Sequence, residues 1–112
     1  MPTLVNDFPQ LFAEHLIEAY CEDGWYSPLL VMCQTIESHI KRKGDVGFKI
    51  VQIKEKFGTL RVYFDGGDDY CRGVVDVTES LCEQTCEFCG SQGELRTGRW
   101  WKTTCDQHSN GW

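Results

Sequence analysis

Cys86-Glu-Phe-Cys89-Gly90 and Cys105-Asp-Gln-His108, with fifteen residues between Cys89 and Cys105, read together as C-x2-C-x15-C-x2-H. Three thiols and an imidazole are donors that a tetrahedral Zn²⁺ takes readily. Two residues between donors make the shortest loop that lets both side chains point at one ion, and Gly90 permits the tight turn after Cys89. The spacing predicts one structural zinc on Cys86, Cys89, Cys105 and His108. The plainer alternative is a set of buried thiols in an ordinary core. A zinc enzyme keeps one position open for water or substrate, whereas here a closed set of four is available, so the pattern favours structure over catalysis.

Working outward, Glu94–Arg96 and Trp100–Thr103 can pair across Thr97-Gly98-Arg99 as a short hairpin. Thr104-Cys-Asp-Gln107 has the form of a capping box, which would put Cys105 and His108 on the first turn of a closing helix. Knuckle, hairpin and helix-borne ligands, in that order, predict a treble-clef-like module over 84–112.

The chain before it, 1–83, reads as helices and a hairpin. Asp7-Phe-Pro-Gln10 resembles a capping box, and Phe8, Leu11, Phe12, Leu16, Ala19 and Tyr20 follow at helical spacing, predicting a helix over 8–20. Ser27-Pro28 offers an N-cap with Pro in the first turn, and Leu29, Met32, Cys33, Ile36 and Ile40 make one apolar stripe to about residue 41. Tyr26 and Val31 are placed for a hydrophobic staple, and Gly44 closes the helix after Lys41-Arg42-Lys43. The period then changes to two over Phe48–Lys56 and Thr59–Asp65, a hairpin with Val51, Ile53, Leu60, Val62 and Phe64 toward the helices. Val74, Val77, Thr78, Leu81 and Cys82 suit a third helix over 72–83. The expected fold is α+β and a single domain over 1–112: an N-terminal helical pair on a hairpin, a third helix, then the zinc module.

With 112 residues, a 41% apolar fraction and seven cysteines, the chain suits a small folded domain with a metal staple rather than a disulfide framework. No stretch approaches the roughly 18 apolar residues of a membrane span, and no export signal is visible at the N-terminus, so a cytoplasmic setting is expected. Charge is segregated. The first forty residues carry six acids and no Lys or Arg, 41–64 hold seven bases and two acids, and 65–89 hold seven acids and one base. A net charge of −6 disfavours general nucleic-acid binding and suits basic protein partners, although acidic faces also serve solubility alone.

Ile53-Lys-Glu-Lys-Phe-Gly-Thr-Leu-Arg-Val-Tyr63, Ser80, Thr85-Cys-Glu-Phe-Cys-Gly90 and Trp101-Lys-Thr-Thr-Cys-Asp-Gln-His108, with Asp23-Gly24-Trp25, resemble an uncharacterised family of small phage- and prophage-associated zinc-binding proteins. The resemblance covers about residues 20–108 and departs at Thr59, where a second Gly is expected. It implies a zinc-bearing accessory protein of a phage, working in the bacterial host cytoplasm, and no particular activity.

Three function classes follow. The first is a non-enzymatic protein-binding module acting on a host defence or replication protein, with Trp100, Trp101, Glu14, Glu18 and Glu22 as candidate contacts. The second is a nucleic-acid-binding zinc finger, using the basic hairpin from Lys49 to Arg61 or bases stacked on the tryptophans. The third is an HNH-like metal-dependent nuclease, for which His15 and His39 are the remaining histidines. Both read more simply as helix-borne histidines, as Cys33 and Cys82 read as small core residues.

Overall fold

The computed structural model describes residues 2–14 and 19–109. The fold is α+β. In chain order come α1 (Pro2–Asp7), β1 (Ala19–Tyr20), α2 (Tyr26–Lys43), β2 (Lys49–Lys56), β3 (Thr59–Asp65), α3 (Asp69–Cys82), β4 (Glu94–Thr97) and β5 (Trp101–Thr104), with short 3-10 turns at Pro9–Leu11, Asp23–Trp25 and Asp106–His108. One sheet has the order β1-β2-β3 and the other is the β4-β5 hairpin. No helix among the described residues is long and apolar enough to cross a membrane.

Among the described residues of 8–20, the expected helix is absent. Pro9 is the reason at its start, because a residue before proline is pushed out of the helical region. Phe8 accordingly sits at φ −131°, ψ 56°. Asp7 is thus the last residue of α1 rather than an N-cap. Leu4, Phe8, Leu11 and Phe12 are still buried, so the apolar spacing was a core signal carried by two short helical pieces. Phe12 then bridges Ile50, and Ala19 and Tyr20 pair with Ile53 and Lys54, both in parallel register. The N-terminal stretch therefore flanks β2 instead of pairing with α2. His15, Leu16 and Glu18 lie outside the described residues, as does Trp112.

The helical pair on the hairpin is instead α2 with α3. α2 begins at Tyr26, one residue before the expected cap, directly out of the 3-10 turn. Pro28 stays within the first turn, where its missing N–H costs nothing. Tyr26 packs against the core while Val31 is exposed, so the expected staple does not form. At the other end Gly44, φ 107°, donates its N–H to the Ile40 carbonyl at 2.7 Å. α3 begins earlier than expected because Asp68 caps it, its carboxylate accepting from the Cys71 N–H at 3.1 Å.

The hairpin has one irregularity that simple alternation misses. Ile50 faces Phe64 but Gln52 faces Tyr63, so Val51 is an extra residue in a β-bulge. The bulge lets Ile50 and Ile53, which an ideal strand would place on opposite faces, both enter the core. Val51, expected inside, is 37% exposed and Ile50 is 0% exposed. Leu60 and Val62 are buried and Phe64 half-buried, as the period predicts. The two-residue turn Phe57-Gly58 has φ of 53° and 81°, a I′-type geometry that leaves Thr59 in the strand with no need for glycine.

The bulge gives a direct test. Ile50→Ala should lower stability by about 2–5 kcal/mol, whereas Val51→Thr should change it by less than about 0.5 kcal/mol. Urea midpoints of the two variants should differ accordingly.

Candidate metal centre

Cys86, Cys89, Cys105 and His108 converge as the spacing predicts. Their ligand atoms all lie within 4.8 Å of one another. The knuckle is shaped by backbone bonds: the Cys86 N–H donates to the Ser91 carbonyl at 2.7 Å and the Gly90 N–H to the Cys86 carbonyl at 2.9 Å. Gly90 takes φ 82°, the left-handed turn expected of it. The β4-β5 hairpin carries the chain back, pairing Glu94 with Thr104 and Thr97 with Trp101. Among the described residues the closing element is the 3-10 turn Asp106–His108, with no side-chain cap. The Thr104 capping box does not form, because Thr104 ends β5 and is buried there.

The donor geometry can be tested against a tetrahedral ion. Donors at about 2.3 Å from a metal lie roughly 3.8 Å apart. The Cys89 and Cys105 sulfurs are 3.7 Å apart, Cys86 Sγ is 3.8 Å from His108 Nδ1, and Cys105 Sγ is 3.1 Å from it. The quartet fits a single ion with His108 donating through Nδ1. Hydrogen bonds from the Ser91 hydroxyl and N–H pull the Cys89 thiol down to about 6, while burial pushes Cys105 up.

What anchors this cluster is the residue inside the knuckle. Glu87 is buried, and its carboxylate accepts from the Glu22 N–H at 3.1 Å and from Lys102 Nζ at 3.3 Å. Burial raises its pKa, and the Lys102 ammonium works against that rise. Lys102 also reaches Glu55 at 3.6 Å, and Glu55 accepts from the Gly58 N–H at 2.7 Å in the β2–β3 turn. Thr103 Oγ1 donates to the Gly58 carbonyl at 2.7 Å. On the other side the Gly24 N–H donates to the Glu87 carbonyl at 2.6 Å, and the buried Trp25 donates its indole N–H to the Thr85 carbonyl at 2.9 Å. A side chain on Gly24 has no room, since its Cβ would sit 2.2 Å from the Cys86 carbonyl oxygen. Glu87 was not singled out in the sequence. Its position between two ligands of a knuckle was the only available signal.

The other candidates scatter. Trp100 and Trp101 are 65% and 49% exposed, and the buried tryptophan is Trp25. Trp101 meets Phe57 edge-on at 6.4 Å between ring centres, making an aromatic surface from the two hairpin tips. Glu14 and Glu22 are exposed. His39 is buried far along α2, with Nε2 at 2.8 Å from Asp68 and its ring stacked on Tyr70 at 4.0 Å. His39, Asp68 and Cys71 also lie within 4.8 Å of one another. Asp68 already has a cationic partner in Lys43 at 3.2 Å, and its cap on α3 accounts for its placement. Burial pushes Cys21, Cys33 and Cys82 up to about 12, which makes them unreactive core thiols. Cys82 does not join the quartet.

The basic patch is largely engaged. Lys41 pairs with Glu37, Lys43 with Asp68, Lys49 donates to the Gln10 carbonyl, and Lys54 lies over the Tyr63 ring.

These observations define an α+β protein with a Cys₃His cluster arranged to hold a metal ion. No family model, curated protein or solved structure matches the chain.

Gly24→Ala should separate the cluster from the core. It is expected to cost about 3 kcal/mol or more and to release metal to a chelator faster than the wild type, read by thermal melting and a colorimetric metal assay. A second outcome concerns acid. His39, the Cys71 N–H and Lys43 hold the Asp68 carboxyl well below the usual carboxylate range. A depressed carboxyl contributes stability above its unfolded pKa, near 3.9, and loses it as pH falls below that value. The stability difference between wild type and Asp68→Asn should therefore be full at neutral pH and shrink below about pH 4.

Proposed function

We propose that this protein is a non-enzymatic protein-binding module whose cluster holds one structural Zn²⁺. The observation that carries the reading is the closed quartet: four protein donors converge on one point, with Cys86 fully buried and Glu87 behind it locked into the core. Thiolates with an imidazole favour zinc over harder ions, and four protein donors leave no position for substrate. The group would supply folding energy and no reaction step.

Protein partners are supported by the exposed Phe57, Trp100 and Trp101 on the hairpin tips. Phe57 holds φ 53°, a conformation costing a bulky residue about 1–2 kcal/mol, at a place where its ring is 66% exposed. Such strain with so little packing in return suits a residue kept for contact. The net charge of −6 weighs against nucleic acid, and the seat of His39 on Asp68 and Tyr70 weighs against an HNH-like nuclease. The phage resemblance, with a host defence or replication protein as target and the host cytoplasm as setting, fits this reading.

Metal analysis of freshly purified protein should give one zinc per chain, and His108→Cys should keep both fold and zinc because Cys₄ sites are also stable. A hydrolytic or nuclease activity lost in that variant while the fold persists would overturn the structural role. With a partner in hand, Trp100→Ala or Trp101→Ala should weaken binding by roughly 2 kcal/mol, seen mainly as faster dissociation.

A further inference from the structure

α2 and α3 leave an open groove of about 950 Å³ between their outer flanks. Val31 and Met32 line it from α2, and Tyr70, Val74, Val77 and Leu81 from α3. Val77, Val31 and Leu81 are 67%, 58% and 52% exposed, the three most exposed aliphatic side chains among the described residues. α3 carries two apolar stripes. Cys71, Val75, Thr78 and Cys82 are buried on one side, while Tyr70, Val74, Val77 and Leu81 flank the groove on the other. A surface helix needs only the first. Exposed apolar surface of the second kind is what a contact site presents.

The charge on the groove says what kind of contact. Its charged lining carboxylates are Asp23 and Asp69, and Cys89 of the metal cluster lines the same end as Asp23. The two carboxylates stand at opposite ends, because the Gly24–Glu87 and Trp25–Thr85 hydrogen bonds place Asp23 beside the end of α3, whereas Asp69 begins that helix. The separation is about the length of α3, roughly 20 Å at 1.5 Å per residue. Arg72 pairs with Asp69 at 2.9 Å, but both side chains are exposed and such a pair is easily exchanged. A second copy of this chain would bring the same acidic ends, so like charges oppose self-pairing.

We propose that the groove seats one amphipathic helix of a partner protein, about four turns long, with an apolar row facing α2 and α3 and a Lys or Arg at each end for Asp23 and Asp69. Helix-in-groove binding places anchors at i, i+3 or i+4, and i+7, so the apolar row of the partner helix would repeat at that spacing. The proposal rests on the protein-binding reading but uses a different face from Phe57 and Trp101.

The test uses the metal-loaded full chain and two fluorescent four-turn peptides with the same Leu row, one flanked by Lys and the other by Glu. The Lys-flanked peptide should bind in a saturable manner, at least roughly tenfold tighter than the other, and weaken with salt. Val31→Asp with Val77→Asp should abolish binding while circular dichroism and metal content stay unchanged. If that pair disturbs the fold, Leu81→Glu alone should produce the loss. Asp23→Lys with Asp69→Lys should reverse the peptide preference. Trp100→Ala should leave the peptide bound, so the groove and the aromatic surface are read separately. Equal binding of both peptides, binding by neither, binding that survives the groove variants, or a dimer in sedimentation that Val77→Asp dissociates would each overturn the proposal.

Discussion

The contact between Gly24 and the Cys86–Glu87 backbone is the constraint from which the rest of the molecule is hung. A hydrogen bond of 2.6 Å joins the Gly24 N–H to the Glu87 carbonyl, with no room for a Cβ between the two strands of backbone. This sets where α2 begins, because the 3-10 turn Asp23–Trp25 runs directly into it. It also sets the depth of the knuckle. Once Trp25 is buried beneath Thr85, the first two residues of the metal motif have become core residues.

Glu87 extends that constraint to the hairpin. A buried carboxylate is unfavourable unless paired and hydrogen-bonded. Lys102 and the Glu22 N–H meet both needs, and Lys102 continues to Glu55 at the β2–β3 turn. Such a network adds little stability compared with an apolar core of the same volume, but through Lys102 it ties the β4-β5 hairpin to the β2-β3 turn. The metal cluster is therefore one corner of a shared core. Asp23-Gly24-Trp25, the Glu55–Gly58 turn and the Cys86–Gly90 knuckle thus lie far apart in the chain yet meet at one seam.

The same packing separates support from contact. With Trp25 inside, Trp100 and Trp101 are left outside, Trp101 beside Phe57. The sheet occupies one stripe of α3 and leaves the other to the groove. Acidic residues mark the groove ends, while the basic residues of the hairpin and of the end of α2 are mostly engaged by local partners.

The elements legible from sequence alone were those set by local rules. The four ligands follow from loop lengths, α2 from its stripe and Gly44, and the two hairpins from their period and turns. Wherever a long-range partner decided, sequence reasoning went astray. Residues 8–20 had helical spacing, but Pro9 broke the path and β2 offered an edge that Phe12, Ala19 and Tyr20 could pair with. Val51 obeyed the alternation until a bulge brought Ile50 and Ile53 to one face. Glu87 was only one of the seven acids in 65–89 until Lys102 and the Glu22 backbone closed over it. A ligand spacing or a turn is written within a few residues, so sequence by itself determined the metal centre's membership. Edge pairing, bulges and buried ion pairs exist only once distant segments meet, so the tertiary structure alone decided where that centre is anchored and which surfaces are left open.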